Sequence, residues 1–165
     1  MNRYTQQHIS EGASVLASCF FIGHRDAPGE LLPLLIEAVE RHIRDYGVTH
    51  FTVGRYGNFD RLAAQAVIEA KKRYHVALSL LLPYHPYDRP IQAPKGFDDT
   101  FYPPGMERVP KRAAIVQANR YMIQNTDYLI AYDKGYIGNT RDLVAAARRR
   151  EKKGLMGVEN LAEYR

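Results

Sequence analysis

The stretch Ser18-Cys19-Phe20-Phe21-Ile22-Gly23-His24-Arg25 decides the fold of this chain. Five small or apolar residues run without interruption into a glycine, which is typical of a strand buried on both faces at the centre of a parallel sheet. In open α/β sheets, ligands bind at the carboxyl ends of such strands, where the strand order reverses. The stretch therefore predicts that Gly23, His24 and Arg25 lie at a binding crevice. The alternative is that His24 and Arg25 are solvated turn residues.

The length and the cysteine content set the broad class. A chain of 165 residues has the length of one domain, and we predict that residues 1–165 form a single one. Cys19 is the only cysteine and lies in the apolar run, so we expect a buried, reduced thiol and no disulfide framework. This suits a cytoplasmic protein. Residues 1–8 are polar, so we expect no signal peptide and no membrane partner.

The chain is basic, with a formal charge of +5 and a pI of about 9.3. This balance is consistent with anionic ligands or with weak affinity for nucleic acid. Much of the excess lies in the run Arg148-Arg149-Arg150-Glu151-Lys152-Lys153. The run is interpreted either as a solvated helix end, where cations complement the helix dipole, or as a docking surface.

Strand patterns and helix patterns alternate along the chain after the first strand. A helical face begins near Leu31, tolerates Pro33 in its first turn and ends at Gly47. The remaining predicted elements are a strand over residues 48–53, a helix opening near Asp60, a strand over 76–82, a helix over 111–124, a strand over 126–133, a helix ending at Arg150 and a short edge strand within 155–161. Four to five strands in this alternation predict an α/β, Rossmann-like three-layer sandwich with a mostly parallel sheet.

One long segment interrupts this alternation. Seven of the nine prolines lie from Pro83 to Pro110, together with five aromatic residues that include Tyr84 and Phe101. Loops of this length in compact domains are usually functional or disordered, and the aromatic content argues against pure disorder. We predict a partly ordered flap at about residues 84–110, beside the crevice. The alternative is a variable loop packed on the surface.

Gly-rich loops follow the second and fourth predicted strands and open helices. The first is Gly54-Arg55-Tyr56-Gly57-Asn58-Phe59-Asp60, and the second contains Gly138-Asn139-Thr140. Such turns let backbone N–H groups face a ligand, although the spacing matches neither the dinucleotide fingerprint nor the P-loop. The alternative for Asp60 is an ordinary helix N-cap.

Four motifs in this order resemble one known superfamily. They are Phe21-Ile22-Gly23-His24-Arg25, Gly54-x-x-Gly57-x-Phe59-Asp60-x-x-Ala63-Ala64, Asn119-Arg120-Tyr121-Met122 and Gly138-Asn139-Thr140. Together they look like the SLOG superfamily, which unites Smf-type DNA-processing proteins with LOG-type, lysine-decarboxylase-like proteins. The small YpsA-like proteins are the branch that this chain resembles most. The resemblance extends from about Cys19 to Arg150 and leaves out the flap.

The resemblance implies a Rossmann-like domain that binds nucleotides or nucleotide-derived molecules, such as ADP-ribose, and that requires no other cofactor. It implies a small nucleotide-derived partner and, by analogy, a homodimer. Carried over by position, Gly23 and Arg25 would lie beside the ligand, and Gly54, Gly57 and Asp60 would form its second wall. The full set of residues that we predict at the ligand is Gly23, His24, Arg25, Gly54, Arg55, Gly57, Asn58, Asp60, Asn119, Arg120, Gly138, Asn139 and Thr140. Gly138 to Thr140 would face the phosphate. Asn139 replaces the middle glycine of the usual Gly-Gly-Thr turn, but Asn accepts a positive φ more readily than most residues, so the turn is expected to survive.

Three functions from different classes fit these residues: a nucleotide sensor, a phosphoribohydrolase and a DNA-binding module of Smf type. The hydrolase requires a carboxylate near the ribose. LOG-type members carry a Glu at the position of Leu143, and a step of one residue on a helix turns Asp142 by about 100° away from it. We therefore expect binding without catalysis and assign no catalytic residue. We expect no metal site either, because His24, His50, His75 and His85 lack ligand spacing.

Overall fold

Four helices flank a six-stranded sheet in this protein. The structure, a computed structural model, describes residues 16–88 and 90–164. The elements in chain order are β1 (Ala17–Gly23), α1 (Leu32–Tyr46), β2 (Val48–Val53), α2 (Asn58–Ala70), β3 (Ala77–Leu81), β4 (Asp99–Phe101), α3 (Ala114–Asn125), β5 (Tyr128–Tyr132), α4 (Asn139–Lys152) and β6 (Gly157–Asn160). The prediction about residues 1–8 lies outside the described residues.

The sheet has the order β4-β3-β2-β1-β5-β6, and all its pairs are parallel. This confirms the predicted α/β, Rossmann-like three-layer class, with six strands where four to five were predicted. The chain leaves β1 toward β2 on one side, while β5 pairs with β1 on the other side. The strand order therefore reverses between β1 and β5, and the carboxyl ends of these two strands border the switch-point crevice.

The strand β1 is buried on both faces, as its apolar run predicts. Cys19 and Phe21 pack in the cluster under α1 and α2, whereas Phe20 and Ile22 pack in the cluster under α3 and α4. Alternate residues of a strand point to opposite faces, so a strand covered on both sides has no polar positions. Cys19 is fully buried and free, and burial raises the pKa of its thiol.

The helix ends follow the local signals. Pro33 lies in the first turn of α1, and Gly47 ends that helix with a φ of 71°. The edge strand predicted within residues 155–161 is confirmed as β6. Gly157 is required in this strand because a Cβ there would lie 2.8 Å from the ring of Tyr128 on β5. Among the described residues, no helix combines the length and the apolar character that crossing a membrane needs.

The proline-rich segment contains β4, which the sequence analysis did not predict. β4 pairs with β3, with Ser79 opposite Asp99. The carboxylate of Asp98 accepts the backbone N–H of Leu78 at 2.8 Å and the Nζ of Lys71 at 2.6 Å. These contacts attach the segment to the sheet and to α2. A strand of three residues depends on this nonlocal pairing and leaves almost no local periodicity.

Candidate functional site

A cleft of about 570 Å³ opens at the carboxyl ends of the strands, beside the switch point between β1 and β5. Its walls come from the loops after β1, β2 and β5, from α3 and from the first turns of α4. We call it the crevice. Eight of the predicted site residues line it: Gly23, His24, Arg25, Gly54, Asp60, Asn119, Asn139 and Thr140.

The other five predicted site residues lie elsewhere. Arg55 and Gly57 line a neighbouring cavity of about 680 Å³ between α2 and the proline-rich segment. Asn58 is engaged in the fold, since its Nδ2 donates to the carbonyl of Ala27. Arg120 lines a groove between α3 and α4. Gly138 precedes α4 as its N-cap.

His24 joins the loops that follow β1 and β5. It is 9% exposed, so it is buried rather than a solvated turn residue. Its Nε2 accepts the backbone N–H of Lys134 at 2.9 Å. Its ring stacks on Tyr136 with a centroid distance of 5.0 Å and meets the edge of Tyr132. His24 thus holds the two loops together across the switch point.

Two glycines allow the loop after β1 to pack against α2. A Cβ on Gly23 would lie 2.2 Å from the ring of Phe59, which is itself buried. Gly57 has a φ of 137°, and a Cβ there would lie 2.9 Å from the Cα of Arg25. The backbone N–H of Asn58 also donates to the carbonyl of Arg25 at 2.8 Å. The backbone of Arg25 is therefore fixed, while its side chain is exposed at the crevice.

Asp60 is half-buried and its carboxyl group lies between two cavities, since the residue lines both the crevice and the neighbouring cavity. It is not an N-cap, because Gly57 holds that position and Asp60 lies in the first turn of α2. Its Oδ2 accepts the backbone N–H of Tyr56 at 3.1 Å. Burial raises the pKa of this carboxyl group to about 6, against the opposing effect of that hydrogen bond. A side chain on Gly54 would clash with it, with Cβ 2.8 Å from Oδ2.

The loop before α4 turns at Gly138, whose φ is 148°. The turn therefore needs a positive φ at Gly138 and not at Asn139. No non-glycine residue in 16–88 or 90–164 has a positive φ. Asn139 and Thr140 form the first turn of α4, and no side chain caps that turn. Among the described residues, its first backbone N–H groups therefore have no capping side chain as acceptor, and Asn139 and Thr140 line the crevice.

The next turn of α4 presents an apolar side chain to the crevice. Leu143 is 4% exposed and lines the cleft. Asp142 is exposed and does not line it. The one-residue step on the helix thus separates the two side chains, as predicted. The acidic residues that line the crevice are Asp26 and Asp60.

Three of the crevice residues that were not predicted from the sequence bear directly on the chemistry of a ligand. Tyr136 and Ile137 line the crevice from the loop before α4, and both are well exposed. Arg112 lines it from the turn that precedes α3. The sequence did contain a signal for Tyr136 and Ile137, because two large apolar residues between Gly135 and Gly138 are unusual in an exposed loop. Arg112 has no local signal, because its place depends on how α3 packs.

The aromatic residues of the proline-rich segment lie outside the crevice. Tyr84 lines a separate cavity with Tyr102, and Phe101 packs against Tyr121 of α3. Of the residues of this segment that the structure describes, Pro83 at its start is the one that lines the crevice. The aromatic residues that line the crevice are Phe21, His24, Tyr56 and Tyr136.

Neither a protein-family model nor a curated protein sequence matches this chain. The resemblance to the SLOG superfamily thus stays a prediction. Within residues 16–88 and 90–164, no group of three or more His, Cys, Asp or Glu side chains is arranged to hold a metal ion.

Proposed function

We propose that this protein binds a phosphate-bearing nucleotide derivative in the crevice. The observation that carries the proposal is the meeting of Arg25, Arg112 and the uncapped start of α4 in one cleft at the switch point. Its volume of about 570 Å³ lies within the range of small-molecule sites, about 300–1,000 Å³. Rossmann-like sheets bind their ligands at this position.

The phosphate group is assigned to the start of α4 rather than to the start of α2. Unpaired N–H groups and the helix dipole favour an anion at a helix N-terminus. Neither helix start has a side-chain cap, and the first turn of each helix carries an aspartate. At α2 the N–H of Asn58 already donates to Arg25 and Asp60 lines the crevice, whereas Asp142 of α4 does not line it. The start of α4 also shares the cleft with the cations of Arg25 and Arg112. These features favour a phosphate beside Asn139 and Thr140.

The rest of the ligand is assigned from the chemistry of the walls. Asp60 offers a carboxyl group that can accept hydrogen bonds from ribose hydroxyl groups. Tyr136, stacked on His24 and 56% exposed, offers an aromatic face on which a base can stack. Ile137 adds apolar surface at 87% exposure. This combination supports a nucleotide over a simple phosphate ion.

A hydrolase of the phosphoribohydrolase type is the second candidate, and one observation favours it. Asp60 lines the crevice, and its pKa of about 6 would let the carboxyl group exchange protons near neutral pH. Against it, Leu143 is apolar at the wall where a carboxylate would face the ribose according to the resemblance. We therefore propose binding or sensing as the function.

A ligand panel tests the proposal directly. The purified chain is melted with mononucleotides, dinucleotides, cyclic nucleotides and ADP-ribose, because a ligand of the folded state raises Tm by mass action. We expect a Tm increase with at least one nucleotide, confirmed by calorimetric titration with one site per chain. Inorganic phosphate at the same concentration is the control. A panel in which no compound raises Tm more than phosphate does would refute the proposal.

A further inference from the structure

A second polar cavity lies at the end of the α3 and α4 layer that is remote from the crevice. The carboxyl-terminal halves of the two helices border a groove of about 690 Å³. It shares no lining residue with the crevice, which takes the amino-terminal halves of the same helices. Five of the eight residues that line the groove are cationic and none is acidic; the five are Arg120, Arg149, Arg150, Lys152 and Lys153.

These cations have no carboxylate neighbours that neutralise them. In the described part of the chain, none of the five takes part in an ion pair. The nearby Arg148 differs, because it pairs with Glu151 at 2.9 Å and with Glu163 at 3.1 Å. Like charges gathered in one concave surface raise the local potential for anions. The groove is thus a cationic surface without an internal counter-charge.

Arg150 has few hydrogen-bond partners within the fold. Its Nε is buried and has no hydrogen-bond partner among the described residues, while its Nη2 reaches the carbonyl of Leu155 only at 3.5 Å. A buried N–H group without an acceptor is costly, and native proteins rarely leave one. The helix dipole accounts for cations in the last turn of α4, but neither for this buried donor nor for Arg120 in the middle of α3.

The size of the groove limits the ligand. An α-helix rises by about 1.5 Å per residue. The residues that line the groove therefore span about 6 Å along α3, from Arg120 to Gln124, and about 10 Å along α4, from Ala146 to Lys153. No aromatic side chain lines the groove, so it offers no surface for base stacking. These dimensions and this chemistry match a short chain of phosphate groups and not an extended strand.

We propose that this groove binds a compact anion with two or three linked phosphate groups, either inorganic or attached to a nucleoside. The phosphate oxygens pair with the cations of both helices, Arg120 on α3 and Arg149, Arg150 and Lys152 on α4. The site is separate from the crevice, so it does not rest on the proposed function. The wild-type chain titrated calorimetrically with inorganic tripolyphosphate is expected to show saturable binding at one site.

Charge reversal tests where the tripolyphosphate binds. Arg149→Glu and Lys152→Glu, both at exposed positions, are each expected to weaken binding at least tenfold. Arg44→Glu is the matched control, because Arg44 lies in the last turn of α1 and outside the groove. It should leave the Kd within twofold. Arg25→Ala, which removes a crevice cation, should also leave it unchanged. An equal loss in Arg44→Glu or Arg25→Ala would overturn the proposal.

A conservative variant tests whether the guanidinium group of Arg150 contacts the phosphates. Arg150→Lys keeps the charge and removes the planar fork that donates parallel hydrogen bonds to a phosphate group, so we expect a loss of at least threefold that a purely electrostatic field would not produce. Thermal melts of all variants control for folding.

The identity of the ligand is tested with nucleotides in the Arg25→Ala chain. Equal binding of ATP and CTP supports recognition of the phosphate chain, whereas a strong preference for one base would contradict it. Tighter binding of oligo(dT), with affinity rising with its length, would instead assign the groove to nucleic acid and overturn the proposal.

Discussion

Asp60 shows how a single side chain at the crevice couples the site to stability. Its pKa is raised from 3.8 to about 6 by burial. Between about pH 4 and pH 6, the folded state therefore binds more protons at this residue than the unfolded state does. As the pH rises through that window, ionisation of Asp60 lowers the free energy of unfolding, and this loss is complete above about pH 6. The fold therefore accommodates the ionised carboxylate of Asp60 at the expense of a lower free energy of unfolding.

Asp60→Asn should remove this cost and keep an acceptor for the N–H of Tyr56. We expect the variant to be more stable than wild type at pH 7.5 by on the order of 3 kcal/mol, and nearly equal to it at pH 4. Urea unfolding at both pH values measures the difference. Asp142→Asn, at an exposed position, is the control and should show little change. A stability gain of equal size at both pH values would contradict the assignment of the shift to Asp60.

Arg25 is expected to contact the phosphate of any crevice ligand. Because a charge-assisted hydrogen bond is worth about 1.5–3 kcal/mol, Arg25→Ala should raise Kd by about 10- to 150-fold. Calorimetric titration with the tightest nucleotide of the panel measures this. Arg55→Ala is the matched control, since Arg55 lines the neighbouring cavity and should change Kd by less than threefold. An unchanged Kd in Arg25→Ala removes this residue from the site.

At the scale of elements, the crevice depends on the close approach of β1 and α2. The carboxyl end of β1 has no side chain at Gly23, and the ring of Phe59 from α2 occupies the space that a Cβ would need. Phe59 is 1% exposed and stacks against Tyr132 of β5. The same helix packing therefore seals the core and shapes the floor of the crevice.

Gly23→Ala should force this contact apart. A Cβ at 2.2 Å from the ring of Phe59 cannot be accommodated without a shift of the ring or of α2. We expect a loss of about 1–3 kcal/mol in the free energy of unfolding, as for other overpacked core sites. Gly29→Ala is the control, because a Cβ at that position meets nothing within 4 Å. Equal stability of the two variants in urea unfolding would refute this account.

At the scale of the whole molecule, the central question is whether binding leads to reaction. The crevice combines cations, an uncapped helix start and an aromatic face, but Leu143 lines the wall of α4 where the resemblance would require a carboxylate. A catalyst of glycosidic cleavage needs a carboxylate that stabilises the oxocarbenium-like centre or positions water. The composition of the crevice therefore favours binding without hydrolysis.

We expect no release of ribose 5-phosphate from AMP or cytokinin-like nucleotides above the uncatalysed rate. Chromatography of the products after prolonged incubation with purified protein measures this. Asp60→Asn and Asp142→Asn are assayed alongside, since Asp60 lines the crevice and Asp142 does not. Turnover in the wild type that Asp60→Asn abolishes and Asp142→Asn retains would make this protein an enzyme and overturn the binding proposal.

The sequence by itself determined the class of fold. The doubly buried run of β1, the helix that tolerates Pro33 in its first turn and the stop at Gly47 are local patterns, and the structure confirms each of them. Periodicity and backbone preference act over a few residues, so they can be read without knowing the contacts. The same reasoning placed His24, Arg25 and Thr140 at strand ends or helix starts, and these residues line the crevice.

Only the tertiary structure decided which of these residues share a cavity. Asn119 and Arg120 are neighbours in one motif, yet Asn119 lines the crevice and Arg120 the groove, because successive helix positions differ by about 100°. The strand β4 exists through its pairing with β3, and Arg112 reaches the crevice through the packing of α3. Such contacts depend on how whole elements pack, which no local pattern encodes.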